Sequence, residues 1–158
     1  RVLLLARGAA GRGGVLVVKV GRHGIGAGQL VFAVKGPEGG YLELHDRSDL
    51  MLDPFPYNGC VSTGDCLGMG TPSLALEGDS YVSRQGVSLL MSVGLPELIA
   101  ADRSALVAKA ADWFESPARL AKLGDGLRGR LQRSPLMDHG GYAREFTEAL
   151  EGLITACR

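Results

Sequence analysis

Short apolar runs alternate along this chain with segments of helical periodicity. Residues 15–20 and 30–34 are β-branched, strand-length and bounded by glycine, and residues 49–52 and 73–76 are shorter apolar runs. Helical spacing or capping residues mark the intervening segments, which are residues 41–47, 62–69, 82–93, 103–114, 117 to about 134, and 141–156. Strands that alternate with helices are typical of a parallel sheet covered by helices on both faces. The pattern predicts an α/β fold that ends in a helical C-terminal tail.

Capping residues sharpen several of these boundaries. Gly94 follows the helix predicted over residues 82–93 as a C′ residue, and Asp102 is placed to cap the next helix. Ser116 and Pro117 have the N-cap and first-turn chemistry of another helix start, and Pro135 breaks that helix. Residues 97–100 form a short strand or a turn.

Composition places the chain among ordinary globular proteins. Its 158 residues are 46% hydrophobic and 22% charged, which suits one domain with a substantial core. The 17 basic and 17 acidic residues balance, so global charge favours neither nucleic acid nor an anionic membrane as a partner. No apolar run approaches the roughly 20 residues needed to span a bilayer.

Residues 1–40 differ from the rest. They hold six basic residues, one acid and 11 of the 24 glycines. Such a segment is an arm, a transit-like sequence or the edge of a fragment, and the absence of an initiating methionine at Arg1 favours a fragment. We therefore divide the chain into a glycine-rich, basic segment of uncertain status, residues 1–40, and a folded domain, residues 41–158.

The cysteines and histidines are scattered, at Cys60, Cys66, Cys157, His23, His45 and His139. Their spacing matches neither a zinc nor an iron site, and three cysteines do not make an even-numbered disulfide set. We expect reduced thiols in a cytoplasmic protein, with no metal and no cofactor.

Glycines at residues 24, 26 and 28 follow the first predicted strand. Their G-x-G-x-G spacing is one residue short of a dinucleotide-binding fingerprint, and a strand rather than a helix comes next. A glycine-rich turn or hairpin is the favoured interpretation. A nicotinamide-binding fold that uses these glycines is the alternative.

The segment of residues 53–72 carries the strongest chemical signal. An apolar run ending in Asp53 leads through a proline-rich loop to Asn58-Gly59, and then to a short helix that contains Ser62, Thr63 and Asp65. A helix start after a glycine is a ready phosphate site, because its first N–H groups lack partners within the helix. The structural alternative is an ordinary helix that Ser62 or Thr63 merely caps.

Several blocks in a fixed order resemble one family. They are Asp49-Leu-Met-Leu-Asp-Pro-Phe-Pro-Tyr-Asn-Gly59, Asp65-Cys-Leu-Gly-Met-Gly-Thr-Pro72, Leu76-Glu-Gly-Asp79, Ser83-Arg-Gln-Gly-Val-Ser-Leu-Leu90, Gly94-Leu-Pro-Glu-Leu-Ile-Ala100 and Ser134-Pro-Leu136. From Tyr41 onward the chain resembles the C-terminal catalytic half of the O-GlcNAc transferase family, including its bacterial tetratricopeptide and Spindly-like members. Residues 1–40 do not follow that pattern.

The resemblance implies the Rossmann-like C-terminal half of a GT-B glycosyltransferase. Such an enzyme moves GlcNAc from UDP-GlcNAc to serine or threonine hydroxyls of acceptor proteins, with inversion and without a metal. Its implied partners within the longer chain are an N-terminal catalytic half and tetratricopeptide repeats. The implied nucleotide-sugar site has the base near Tyr41, the pyrophosphate at the helix start and the ribose at Asp65; its full set is Tyr41, Asn58, Gly59, Cys60, Val61, Ser62, Thr63 and Asp65. No catalytic residue is assigned.

Two alternatives stay open within this resemblance. Spindly-like members use GDP-fucose, so the donor sugar is undecided. Cys60-Val-Ser62 stands where the family typically has His-Thr-Thr or Gly-Thr-Thr. That difference favours a non-catalytic relative that acts as a nucleotide-binding or scaffold module.

Overall fold

The computed structural model describes residues 2–6, 22–24, 26–34 and 38–157. The chain forms two compact units, Arg1–Ser48 and Asp49–Arg158. The division falls after Ser48, whereas the sequence analysis placed a boundary between residues 40 and 41. The roles assigned to the two predicted domains stay a prediction.

In its described residues, the first unit contains two parallel strands and a helix. Strand β1 (Val2–Ala6) pairs with β2 (Leu30–Val34), with Val2 opposite Leu30, and helix α1 spans Glu38–Asp46. The predicted strand over residues 30–34 and the helix near residues 41–47 are confirmed, whereas β1 was not predicted. The strand predicted over residues 15–20 lies outside the described residues.

The glycine-rich stretch before β2 forms tight turns in its described part. Gly24 has φ +80°, and the N–H of Gly26 donates to Oε1 of Gln29 at 2.8 Å. A 3-10 turn, Ala27–Gln29, leads directly into β2. The dinucleotide fingerprint requires an α-helix at this point. The favoured turn interpretation therefore agrees with the structure.

The second unit is built on three parallel strands. Strand β4 (Ser73–Leu76) lies between β3 (Met51–Leu52) and β5 (Ile99–Ala100). Helix α2 (Val61–Gly68) connects β3 to β4, and helix α3 (Gln85–Ser92) connects β4 to β5. Parallel neighbours need such crossovers because each strand must return to the same end of the sheet. The predicted α/β class and parallel sheet are confirmed.

Burial of β4 explains why helices cover this sheet. All four of its residues are buried, on both faces of the strand. The core combines Leu74 and Ala75 of this strand with apolar side chains from the helices and loops: Leu67, Val87, Leu90, Val93, Leu95, Leu98, Trp113, Leu120 and Leu127. The last three of these come from α4 (Arg103–Phe114) and α5 (Pro117–Gln132), and α5 packs against α2 and α4.

Helix ends follow the predicted chemistry with two differences. Asp102 caps α4 by accepting a hydrogen bond from the N–H of Ala105 at 2.7 Å, and Gly94 has the predicted positive φ, +74°. Ser116 occupies the N-cap of α5, as predicted, but its side chain makes no capping hydrogen bond.

The second difference concerns the helix predicted over residues 82–93. A 3-10 turn, Tyr81–Ser83, precedes α3 instead of one continuous helix. Oγ of Ser83 accepts from the N–H of Ser80 and donates to its carbonyl oxygen, at 3.1 and 2.9 Å. A serine side chain that satisfies nearby backbone groups competes with helical hydrogen bonds, so the segment starts as a tight turn.

The C-terminal helix α6 spans His139–Ala156 and so begins two residues before the predicted helix of residues 141–156; Asp138 caps it by accepting from the N–H of Gly141 at 2.8 Å. A stripe of apolar side chains on it is exposed: Tyr142, Phe146, Leu150, Leu153 and Ile154. Within the described part of the chain, no helix has both the length and the apolar character required to cross a membrane.

Candidate phosphate-binding site

The site begins where β3 ends. The N–H of Asp53 donates to the carbonyl oxygen of Leu74 at 2.9 Å, which extends the pairing with β4 by one residue. The Asp53 side chain is buried, and its Oδ1 accepts a hydrogen bond from the N–H of Gly59 at 2.6 Å. Burial raises the pKa of the Asp53 carboxyl from 3.8 to about 6, and the Gly59 hydrogen bond partly opposes that rise.

The proline-rich loop closes on itself. Nδ2 of Asn58 donates to the carbonyl oxygen of Pro54 at 3.0 Å, and the N–H of Asn58 donates to that of Val82 at 2.9 Å. The bond between Phe55 and Pro56 is cis. Asn58 is fully buried, so its side chain holds the loop from inside.

Gly59 is enclosed where the loop meets the helix. A Cβ at this position would lie 2.5 Å from Oγ of Ser62 and 2.7 Å from Oγ1 of Thr63. Oγ1 of Thr63, a fully buried residue, donates to the carbonyl oxygen of Gly59 at 3.1 Å. Both backbone polar groups of Gly59 are therefore held by side chains, its N–H by Asp53 and its C=O by Thr63.

The start of α2 has no side-chain cap. Cys60 is the N-cap residue and makes no capping hydrogen bond, while Ser62 and Thr63 lie inside the first turn. The first backbone hydrogen bond of the helix is donated by the N–H of Gly64 to the carbonyl oxygen of Cys60, at 3.0 Å. The structural alternative, an ordinary helix that Ser62 or Thr63 caps, is therefore wrong as regards the cap. Among the described residues no side chain caps the N–H groups of the first turn, which lie at the positive end of the helix dipole.

Side chains around this helix start differ in exposure. Cys60 and Val61 are exposed, and Ser62 and Asp65 are half-buried. Cys66, one position after Asp65, is buried, with its Sγ 3.0 Å from Sδ of Met51. Burial raises the pKa of the Cys66 thiol to about 12, and the charges of Asp65 and Asp53 add to the rise. Cys66 is therefore a protonated core thiol.

Seven of the eight predicted nucleotide-sugar residues belong to the second unit. Asn58, Gly59 and residues 60–65 form one continuous loop and helix start in the second unit. Tyr41 lies in α1 of the first unit, where its ring makes an edge-to-face contact with the buried His45, with centroids 4.7 Å apart. The binding roles of these residues stay predictions.

Sequence reasoning left Asp53 outside the predicted site. The signal was visible, because the apolar run Leu50-Met-Leu ends in an acid just before the loop. In the described ranges, no group of three or more His, Cys, Asp or Glu side chains is arranged to hold a metal ion.

Comparison with known proteins identifies the family. The sequence model of glycosyl transferase family 41 matches residues 1–146. The chain belongs to glycosyl transferase family 41. The match begins at residue 1, so the family likeness includes the segment of residues 1–40 that the sequence analysis left outside it. The predicted resemblance to the O-GlcNAc transferase family is confirmed.

Curated relatives are plant proteins described as probable UDP-N-acetylglucosamine–peptide N-acetylglucosaminyltransferase SPINDLY. The protein of Oryza sativa is 32% identical over 113 residues, which cover 72% of this chain and 12% of the relative. That of Solanum lycopersicum is 33% identical over 106 residues, which cover 67% of this chain and 11% of the relative. This chain thus spans about an eighth of the length of these relatives.

A solved structure shows how far the fold likeness extends. A point mutant of the O-GlcNAc transferase of Thermobaculum terrenum matches with a TM-score of 0.87 and 28% sequence identity. The match covers 95% of this chain and 29% of that one. The predicted Rossmann-like fold of a GT-B glycosyltransferase half is therefore confirmed.

Proposed function

We propose that the protein containing this chain transfers GlcNAc from UDP-GlcNAc to serine or threonine hydroxyls of proteins, with inversion and without a metal. The observation that carries this proposal is the uncapped N-terminus of α2, placed directly after the enclosed Gly59. Family 41 membership and the names of the matched relatives support the same reaction.

The chemistry of the reaction suits such a helix start. When the acceptor hydroxyl attacks the anomeric carbon, the bond to the diphosphate breaks and its electron pair moves onto a phosphate oxygen. Preorganised N–H groups stabilise that developing charge, and the helix dipole adds to the effect. We propose that the backbone of residues 60–63 takes this role. No residue of this chain is assigned as the general base.

The remaining donor contacts follow from position. We place the ribose hydroxyls at Asp65, whose half-buried carboxylate forms no hydrogen bond or ion pair with the described residues. Asn58 and Gly59 set the path of the loop, and Tyr41 is proposed to lie near the base. These roles require no metal and no cofactor besides the nucleotide sugar.

Partners and location belong to the same proposal. We propose that the chain works with an N-terminal catalytic half and tetratricopeptide repeats of a longer protein in the cytoplasm. Its ligands would be a nucleotide-sugar donor and acceptor proteins, rather than nucleic acid or a membrane.

Two other functions have an observation in their favour. The curated relatives are SPINDLY proteins, which keeps the GDP-fucose donor of Spindly-like members as a candidate. The exposed Val61 stands where the family typically has a threonine, and this loss of a hydroxyl favours a non-catalytic module that binds a nucleotide or serves as a scaffold. Backbone donors survive this replacement, so loss of transfer need not mean loss of binding.

Calorimetry of the full-length protein with UDP and with GDP tests the binding step. We expect UDP to bind and Asp65→Ala to weaken binding about tenfold, since hydrogen bonds to a charged group contribute roughly 1.5–3 kcal/mol. The matched control is Asp125→Ala, because Asp125 is an exposed carboxylate on α5 that is not among the proposed site residues. Absence of heat with both nucleotides would refute the proposal.

Transfer of radiolabelled sugar to a serine-containing peptide tests the chemistry. Label from UDP-GlcNAc supports GlcNAc transfer, and label from GDP-fucose alone replaces it with fucosyl transfer. Nucleotide binding without either transfer identifies the non-catalytic module.

A further inference from the structure

Resting on the proposed function, we infer that Asp53 is a positioning residue of the diphosphate site. The Asp53 carboxylate accepts a hydrogen bond from the N–H of Gly59. It thereby fixes the backbone just before the uncapped start of α2, where the nucleotide is proposed to bind. Asp53 is not among the site residues that were predicted from the sequence.

Three hydrogen bonds connect the sheet to the first turn of α2. The backbone of Asp53 is held in the sheet by the carbonyl oxygen of Leu74, at 2.9 Å. Its Oδ1 holds the N–H of Gly59 at 2.6 Å, and Thr63 holds the carbonyl oxygen of the same glycine from inside α2. The end of β3 is thus joined to the first turn of α2 through Gly59, whose N–H bonds Asp53 and whose carbonyl oxygen bonds Thr63.

The second carboxylate oxygen faces another helix start. A Cβ added to Gly86, in the first turn of α3, would overlap with Oδ2 of Asp53. This close approach requires glycine at position 86. Asp53 therefore lies between the N-terminal ends of α2 and α3, where two positive helix dipole ends offset part of the cost of burying its charge.

No ionised partner neutralises Asp53 in the described part of the chain. Its Oδ2 is buried without a hydrogen-bond partner there. The neighbouring elements carry Asp65 and Cys66 on α2 and Arg84 just before α3, and the Arg84 guanidinium pairs with Glu77 at 2.9 Å. A buried carboxylate without a cation is costly to fold, and such groups concentrate at functional sites.

The acceptor oxygen, rather than the full charge, is the part that positions the loop. Asp53→Asn keeps an oxygen able to accept from Gly59, whereas Asp53→Ala removes it. A residue needed only for folding would affect stability in both variants without separating their nucleotide affinities.

The test measures UDP affinity of the full-length protein by calorimetry. We expect Asp53→Ala to weaken UDP binding about tenfold to a hundredfold, the range for losing a hydrogen bond to a charged group. Asp53→Asn should bind UDP with an affinity within about threefold of that of the wild type. The control Asp49→Ala removes an exposed carboxylate from the same segment and should leave affinity unchanged. Equal affinities of the wild type and Asp53→Ala, or equal losses in the alanine and asparagine variants, would overturn the inference.

Hydrogen exchange gives a second measurement that needs no nucleotide. The N–H of Gly59 should exchange slowly in the wild type and in Asp53→Asn, and faster in Asp53→Ala, with the amides of α4 unchanged. Rapid exchange of Gly59 in the wild type would overturn the inference even where the alanine variant does not fold. If the wild type binds neither UDP nor GDP, the proposed function fails, and the exchange data still decide whether Asp53 holds the loop.

Discussion

Oδ1 of Asp53 and the backbone nitrogen of Gly59 lie 2.6 Å apart, and this hydrogen bond closes the proline-rich loop. It links the end of β3 to the residue before the N-cap of α2. Short hydrogen bonds between a carboxylate and a backbone N–H are among the stronger ones in proteins. The position of the helix start is therefore set by the sheet.

We expect Gly59→Ala to lower both stability and UDP affinity. The new Cβ would lie 2.5 Å from Oγ of Ser62, which can rotate away, and 2.7 Å from Oγ1 of Thr63. Thr63 is fully buried and bonded to residue 59, so the backbone must shift. We expect a stability loss of about 1–3 kcal/mol, typical of overpacking. UDP affinity should fall about tenfold or more, because a small misplacement of binding groups is costly.

The matched control for stability is Gly64→Ala in the same helix. A Cβ there meets nothing within 4 Å, and alanine favours helix over glycine by about 0.5–1 kcal/mol. Urea denaturation of both variants provides the comparison. Equal stabilities of the two variants would show that the enclosure of Gly59 does not restrain the loop.

The Asp53 carboxyl should make stability depend on pH in an unusual direction. Because its pKa is raised from 3.8 to about 6 in the folded protein, the folded state keeps a proton that the unfolded chain has released between these values. The contribution of Asp53 to the free energy of unfolding is therefore full below pH 4 and lost as the pH rises through 6. The loss is at most about 3 kcal/mol, from 1.36 kcal/mol per pKa unit.

Urea denaturation at pH 4 to 7.5 measures this effect. Other groups titrate in the same range, so the informative quantity is the difference between the wild type and Asp53→Asn. As the pH rises, the free energy of unfolding of the wild type should fall relative to that of Asp53→Asn. A difference independent of pH would contradict a raised Asp53 pKa.

Gly124→Ala should destabilise the second unit. A Cβ at Gly124 on α5 would lie 2.7 Å from the carbonyl oxygen of Gly70, whose own φ is +84°. A backbone atom in that conformation cannot rotate away, so α5 must move. We expect a loss of about 1–3 kcal/mol. Gly126→Ala on the same helix meets nothing within 4 Å and should instead stabilise by about 0.5–1 kcal/mol.

Unfolding of both glycine variants can be followed by the fluorescence of Trp113, the single tryptophan of this sequence. Similar changes in the free energy of unfolding of the two variants would show that Gly124 does not pack tightly against the carbonyl oxygen of Gly70.

Arg119 should contribute more through Trp113 than through Asp112. Its guanidinium carbon lies 3.8 Å from the centroid of the Trp113 ring, and its Nη1 lies 2.7 Å from Oδ2 of Asp112. Both ends of the ion pair are largely exposed, so that pair contributes little. We expect Arg119→Ala to cost about 1 kcal/mol and Asp112→Ala less than about 0.5 kcal/mol. Equal costs in urea denaturation would assign the stabilisation to the ion pair.

Local signals in the sequence were sufficient for most elements of the second unit. The strand over residues 73–76 has the predicted bounds, and Asp102 caps α4 as expected. These features depend on neighbouring residues: a short apolar run between polar segments, or a carboxylate before a helix. The blocks that resemble the family, from residue 49 onward, are likewise runs of consecutive residues, so they could be recognised in the sequence alone.

Other features depend on residues far apart in the chain. Strand β1 was missed because five apolar residues without a flanking turn signal do not distinguish a strand from other structure; its parallel partner β2 lies more than 20 residues away. The turn at Tyr81–Ser83 interrupts a good helical pattern because Ser83 bonds Ser80 instead. Periodicity does not encode such a choice.

The sequence by itself determined the α/β class, the family and the segment that carries the candidate site, since apolar periodicity and motif order are properties of the linear chain. Tertiary structure decided how that segment is held. Only packing places Asp53 against both Gly59 and Gly86, leaves the α2 start without a side-chain cap, and raises the pKa of the carboxyl. These effects arise from burial and from distances between separate elements, and therefore exist only once β3, α2 and α3 have come together.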